Sequence, residues 1–321
     1  MPKKTSPWHW QPLEPEQHNP IFRLPWSVKK ITNWYRQAWQ PRSEYGLFII
    51  LALLSWWMIH PLMSADSFLG WESVALIYLK NLVFMISLAG GLHAYFYVYK
   101  KQREKLRYDT REQRSGSRFT FGSQVFDNMF WTLASGVTIW TLYEVGVLAF
   151  LHMRPAHQIS LTSHPVGFVL LLLLIPIWIS FHFYCVHRLL HTPFLYRWVH
   201  SLHHRNQNTI PWSGLSMHPV EHLVYLSSVL IHLVVPSHPI HLFFHLYGLT
   251  LSPIFGHTGY HALIIKGKEW MAIGHFHHQL HHRYFEVNYG AVEMPCDEWF
   301  NTFDDGTPEA RQTLRHRRVN S

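Results

Sequence analysis

The chain has 321 residues, 48% of them hydrophobic, and a formal net charge of +8. Only two cysteines occur, Cys185 and Cys296, which excludes a disulfide framework and a cysteine-rich zinc or iron–sulfur site. The cations flank apolar stretches and form no stripe interleaved with exposed aromatics, which argues against a nucleic-acid partner and for anionic lipid headgroups.

Residues 1–45 are polar, punctuated by proline and free of a short apolar signal core, so they read as a cytoplasmic lead-in. Four nearly uncharged stretches of membrane length follow: Gly46 to Met63, Asn81 to Tyr99, Trp131 to His152 and Val166 to Val186. Roughly twenty apolar residues cross a bilayer core, so each is a candidate span within a transmembrane region at 46–186. Lys29, Lys30, Arg36 and Arg42 precede the first span, and Lys100, Lys101, Arg103, Lys105 and Arg107 follow the second. This bias places the lead-in and a basic loop at 100–130 in the cytoplasm, with segments 64–80 and 153–165 on the other side. Four spans then return the chain to the cytoplasmic face, where residues 187–306 form the histidine-box region, followed by a basic tail at 307–321.

Leu223 to Val235 and His238 to Ile254 are too short to be confident spans, and PSHP joins them. They predict a helical hairpin that either dips into the membrane or belongs to the cap. The expected architecture is an all-α integral membrane protein. It has about four transmembrane helices, a re-entrant hairpin and a cytoplasmic helical cap around a histidine-rich di-metal site.

Nineteen of the 27 histidines fall between His182 and His282. HRLLH and HSLHH at 187–204 are answered by HTGYH and HHQLHH at 257–282, so HxxxH followed by HxxHH occurs twice. On a helix these spacings stack imidazoles on one face. The candidate metal ligands are His187, His191, His200, His203, His204, His257, His261, His278, His281 and His282. Imidazole suits iron, zinc, copper and nickel. Gly259 weakens the helical reading of HTGYH and leaves room for an irregular turn. His218 and His222 in HPVEH have i, i+4 spacing, but Pro219 marks a helix start, so a role behind the ligands or beside the substrate is expected. Glu221, Glu293 and Asp297 are either carboxylates that orient ligands or ordinary surface groups. Asp304-Asp305-Gly306 reads as a solvated extension.

In order and after membrane spans, HRLLH, HSLHH, HPVEH, GHTGYH and HHQLHHRYFEVNYG resemble the fatty acid hydroxylase and sterol desaturase superfamily of membrane di-metal oxygenases. The resemblance covers roughly residues 131–306. It implies two iron ions held by histidines alone, with His187 and His191 as the first box, His200, His203 and His204 as the second, His257 and His261 as the third, and His278, His281 and His282 as the fourth. His275 and His277 exceed that pattern, and the NYG six residues after His282 supports the register chosen. The resemblance also implies dioxygen as co-substrate and a membrane lipid as substrate. Electrons would come from a separate ferredoxin-type or cytochrome b5-type reductase system. Zinc lacks the redox chemistry that breaking an unactivated C–H bond requires, although it could replace iron in a purified protein. The histidines leave hydroxylation and desaturation undistinguished. A histidine-rich metal transporter or metal sensor is the rival reading. Transport would place ligands along a mid-membrane path, whereas the spans read as nearly free of paired ionisable residues.

Overall fold

The computed structural model describes residues 8–63 and 70–319, with side chains described to residue 313. After an amphipathic helix α1 (Val28–Ala38), four helices among the described residues are long and apolar enough to cross a membrane: α2 (Glu44–Met63), α3 (Trp71–Val98), α4 (Gln124–Met153) and α5 (Pro165–Leu190). Their apolar side chains have no partner on the outer faces: Ile50, Leu53 and Trp57 of α2, Leu79 and Val83 of α3, and Leu170 and Leu174 of α5 are exposed. Large apolar residues turned outward along span-length helices suit a lipid surround.

Two of these helices start where local chemistry favours it. Ser43 Oγ accepts from Gly46 N at 3.1 Å and Glu44 occupies the first turn of α2, so an orphan amide is answered and the helix dipole is favoured. Pro165 opens α5 at a position where its missing N–H costs nothing. With 26 residues α5 is about 39 Å long, against a hydrocarbon core of about 30 Å. That excess is enough for its last turns, which carry His187, to stand clear of an apolar layer.

Two of these helices are longer than their apolar stretches suggested. α3 begins at Trp71, so residues 71–80 of the expected outer segment are helical, while 64–69 lie outside the described residues. The extension carries Lys80 into the bundle, where its Nζ lies 2.5 Å from Glu144 Oε1 of α4, both fully buried. Asn81 Nδ2 donates to Glu144 Oε2 at 2.9 Å and to Thr141 Oγ1 at 3.2 Å, and Lys80 Nζ donates to Tyr247 OH at 3.3 Å. The spans, expected to be nearly free of paired ionisable residues, thus hold one such pair among the described residues. The partners sit on different helices, so no single hydrophobic stretch displays the pair.

After α5 the chain bends through residues 193–204 (α6) and enters α7 (Pro219–Leu226), which continues as a 3-10 stretch, Ser227–Leu233. A turn leads to α8 (Pro239–Thr250), whose residues 239–247 are all buried because α2, α4 and α5 pack around it. Ser237 N in that turn donates to His157 O, between α4 and α5, at the end of the bundle opposite His187. The hairpin therefore runs the length of the bundle and fills its centre.

The remaining elements are α9 (Ser252–Gly256), β1 (Ala262–Ile265), β2 (Lys268–Ala272), α10 (Phe276–Tyr284), α11 (Cys296–Trp299) and α12 (Pro308–Val319). The fold is mostly helical, and the β1–β2 hairpin corrects the all-α expectation. Ile265 pairs with Lys268 across a two-residue turn in which Lys266 and Gly267 both have positive φ, 50° and 78°. That is the backbone a tight hairpin demands.

Candidate metal centre

Three helical segments and one turn bring the box histidines together. His187 and His191 lie one helical turn apart at the end of α5, with His191 as its C-cap. His200, His203 and His204 project from α6, and His278, His281 and His282 from α10. His257 follows α9 directly. These nine form two groups, and within each group the candidate ligand atoms lie within 4.8 Å of one another: His187, His191, His200, His204 and His281 in one, His203, His257, His278 and His282 in the other.

The grouping explains the HxxHH spacing. His200 and His204, four apart, enter the first group and His203 the second; His278 and His282 enter the second and His281 the first. Adjacent helical residues point about 100° apart. A doubled histidine on each helix therefore serves both groups at once.

His261, the tenth candidate, is elsewhere. Its Nδ1 is 3.2 Å from Tyr108 OH and its ring lies 4.8 Å from that of Trp10. Gly259 has φ +75°, and a Cβ there would stand 2.7 Å from Tyr97 OH, which donates to Thr258 O. The chain turns at this point, so HTGYH is no helix and its i, i+4 spacing sets no common face.

The outer nitrogens fix how the imidazoles face inward. His187 Nδ1 donates to Tyr289 O at 2.7 Å, His203 Nδ1 to Ser216 O at 3.2 Å and His281 Nδ1 to Val287 O at 2.6 Å. A carbonyl only accepts, so each Nδ1 carries the proton and each Nε2 is a lone pair. Ser213 Oγ donates to Ile210 O and hence accepts from His257 Nδ1 at 2.9 Å. His200 Nδ1 lies 2.8 Å from Glu221 Oε1.

Inside, Nε2 atoms meet Nε2 atoms: His187 with His200 at 3.0 Å, His204 with His191 at 3.1 Å and with His281 at 3.0 Å, and His278 with His257 at 3.0 Å and with His282 at 3.1 Å. Nitrogens held about 2.1 Å from one ion at the corners of an octahedron are about 3.0 Å apart. Burial pushes the Glu221 carboxyl well above its usual range; a cation held between His187 and His200 would favour the ionised carboxylate, which then accepts from His200 Nδ1 and leaves both Nε2 lone pairs to the ion. Burial holds His203 at about 4, and His191 and His278 at about 3, with neighbouring cations adding to the effect for the latter two. Neutral imidazole is the form that binds metal. The donor set fits two transition-metal ions.

Behind the rings stand groups that the sequence left open between orienting and surface roles, and one that it read as solvated. Asp297 is buried and accepts from Tyr289 N and Gly290 N, both at 2.8 Å, which pins the loop whose carbonyl holds His187. Asp304 is not a solvated residue: Asn288 Oδ1 accepts from its amide at 2.7 Å, and Asn288 Nδ2 donates to its carbonyl at 2.8 Å. The signal was present in NYG, whose Asn288 has φ 52° and needs such anchoring. His222 bonds Ser135 Oγ and Leu215 O, and His218 caps α7, so HPVEH contributes Glu221 to the centre and neither histidine. Glu293 accepts from Tyr45 OH at 2.7 Å, away from both groups.

A cavity of about 410 Å³ opens against His187, His200, His203, His257 and His278. Its other walls include Ile179, Phe183, Met217, Tyr225 and Phe244, and Glu16, Glu44 and Glu293 also line it.

Residues 172–302 match the fatty acid hydroxylase family model. That match and the relatives that follow support a likeness to the fatty acid hydroxylase and sterol desaturase superfamily. A Delta(7)-sterol 5(6)-desaturase of Gibberella zeae is 30% identical over 135 residues, 39% of this chain and 39% of that one. A putative Delta(7)-sterol-C5(6)-desaturase of Arabidopsis thaliana is 34% identical over 128 residues, covering 39% and 44%. Fatty acid hydroxylase domain-containing protein 2 of Homo sapiens is 35% identical over 114 residues, covering 34% and 32%. The chain thus spans less than half the length of these relatives. No solved structure matches it.

Proposed function

We propose that this chain is an integral membrane di-iron oxygenase that hydroxylates or desaturates a lipid, using dioxygen and electrons from a separate donor. The observation that carries the reading is the pair of neutral imidazole groups, Nε2 facing Nε2 at about 3 Å, opening onto an apolar cavity at the end of a four-helix membrane bundle. His187, His191, His200, His204 and His281 would hold one ion, and His203, His257, His278 and His282 the other. His261 leaves the ligand set.

Two bound iron ions would supply, with dioxygen and two electrons, the oxidising power to break an unactivated C–H bond. The protein's own share is positioning and exclusion. Phe183, Met217, Tyr225 and Phe244 wall the cavity with apolar surface, keeping water from the reacting carbon and holding an acyl chain or ring against the histidines. Tyr289 O, Ser216 O, Val287 O, Ser213 and Glu221 lock the ring orientations from outside. For hydroxylation the balance is one C–H and one dioxygen, two electrons and two protons, giving an alcohol and water. For desaturation a second hydrogen leaves and two waters form.

The positive-inside bias supports a cytoplasmic centre, with the α7–α8 hairpin entering the membrane from that side and the basic loop after α3 as the docking surface for an acidic electron donor. The Lys80–Glu144 pair gives the transporter reading no ligand path, because Asn81 and Tyr247 already bond it. The test is comparative lipidomics of cells with and without the chain under air. A lipid heavier by one oxygen, or lighter by two hydrogens, supports the reading. An unchanged lipid profile with a competent reductase present would sink it.

A further inference from the structure

We propose a third metal site, distinct from the two histidine-box groups, in which His18, His277 and Asp297 bind a divalent transition-metal ion that fastens the N-terminal lead-in to the cap. The three residues are buried, and their candidate ligand atoms lie within 4.8 Å of one another. Both Nε2 atoms, of His18 and of His277, are buried without a hydrogen-bond partner, and His277 Nε2 is 3.8 Å from Asp297 Oδ2. Two imidazoles left unanswered in one dry place call for an electrophile between them.

The outer contacts of these residues are those of a metal site. His18 Nδ1 donates to Glu298 Oε1 at 2.9 Å, which leaves Nε2 as a lone pair aimed inward. Glu298 is held in turn by Arg23 Nη2 at 2.5 Å. A carboxylate behind an imidazole is the usual way a ligand histidine is oriented. Asp297 is fixed by Tyr289 N, Gly290 N and Thr302 Oγ1, so its Oδ2 faces the imidazoles without freedom to turn away. Two imidazoles and one carboxylate suit zinc or ferrous iron, with a further position open. His277 sits beside His278 on α10 but serves this other face, as the turn of the helix requires.

The consequence is structural. Asp297 also carries the loop whose Tyr289 O receives His187 Nδ1, so an ion here would tie residue 18, the loop at 288–290 and the first histidine group into one unit.

Metal per chain should be measured by mass spectrometry on the detergent-purified full chain and on two variants: His18→Ala, and His18→Phe, which keeps an aromatic ring against Phe303. Wild type should hold one more ion per chain than either variant, whatever the histidine boxes themselves contain. Equal metal content in folded variants overturns the site and leaves a bridging water in its place. Should both variants misfold, anomalous scattering from zinc-grown wild-type crystals decides. A zinc peak between His18, His277 and Asp297 upholds the proposal, and water-like density there ends it. Empty box groups beside a filled third site would instead count against the di-iron reading alone.

Discussion

Two histidine-rich regions lie inside this protein, and they differ in how their ring nitrogens are answered. In the central hairpin, His232 Nε2 meets His245 Nδ1 at 3.1 Å, His232 Nδ1 meets Ser237 Oγ, His245 Nε2 meets Ser228 Oγ, and His241 bonds Phe168 O and His238 N. Each ring pairs a donor with an acceptor, so the network closes on itself. In the cap, backbone carbonyls consume the N–H groups on the outside and turn lone pairs toward one another. The density of histidine is similar in both places. What marks a metal centre is the direction in which the protons have been drawn off.

That contrast can be tested by substitution. The largest effect should come from His281→Ala, which removes a first-group ligand: about one metal ion per chain is lost and lipid turnover falls to background, read by metal analysis and product formation. Retention of both ions would break the grouping. Glu221→Gln should weaken metal retention or activity by about 10- to 100-fold, seen in chelator competition, because His200 loses the carboxylate that orients it. His245→Leu should act in the opposite register. It leaves His232 Nε2 and Ser228 Oγ without their partner and should destabilise the protein by about 1–3 kcal/mol in thermal unfolding while metal content holds. The smallest effect is expected for His261→Ala, with both metal content and turnover within about twofold of wild type, since the side chain only packs on Trp10 and meets Tyr108. A loss of one ion in that variant would restore it to the ligand set.

Much of this was readable in the chain. Four apolar stretches gave four candidate spans because lipid admits only segments that satisfy their own backbone, and paired HxxHH motifs pointed to metal because adjacent helical positions diverge. The failures share a cause. His261 was grouped with His257 by spacing, but Gly259 turned the backbone and spacing lost its meaning. Lys80 was assigned to an outer segment because its partner, Glu144, is 64 residues away. The β1–β2 hairpin gave little signal, since Lys266-Gly267 is not one of the usual two-residue hairpin pairs and Lys268 and Glu269 open the second strand with charge.

The sequence by itself determined the class of the protein: apolar length sets the spans, and residue type and helical period set which imidazoles can share a face. Only the tertiary structure decided which histidines meet, which carboxylates stand behind them, and that His18 reaches Asp297 from the far end of the chain. Those choices depend on where segments distant in sequence come to rest, and on which carbonyl each ring nitrogen finds there.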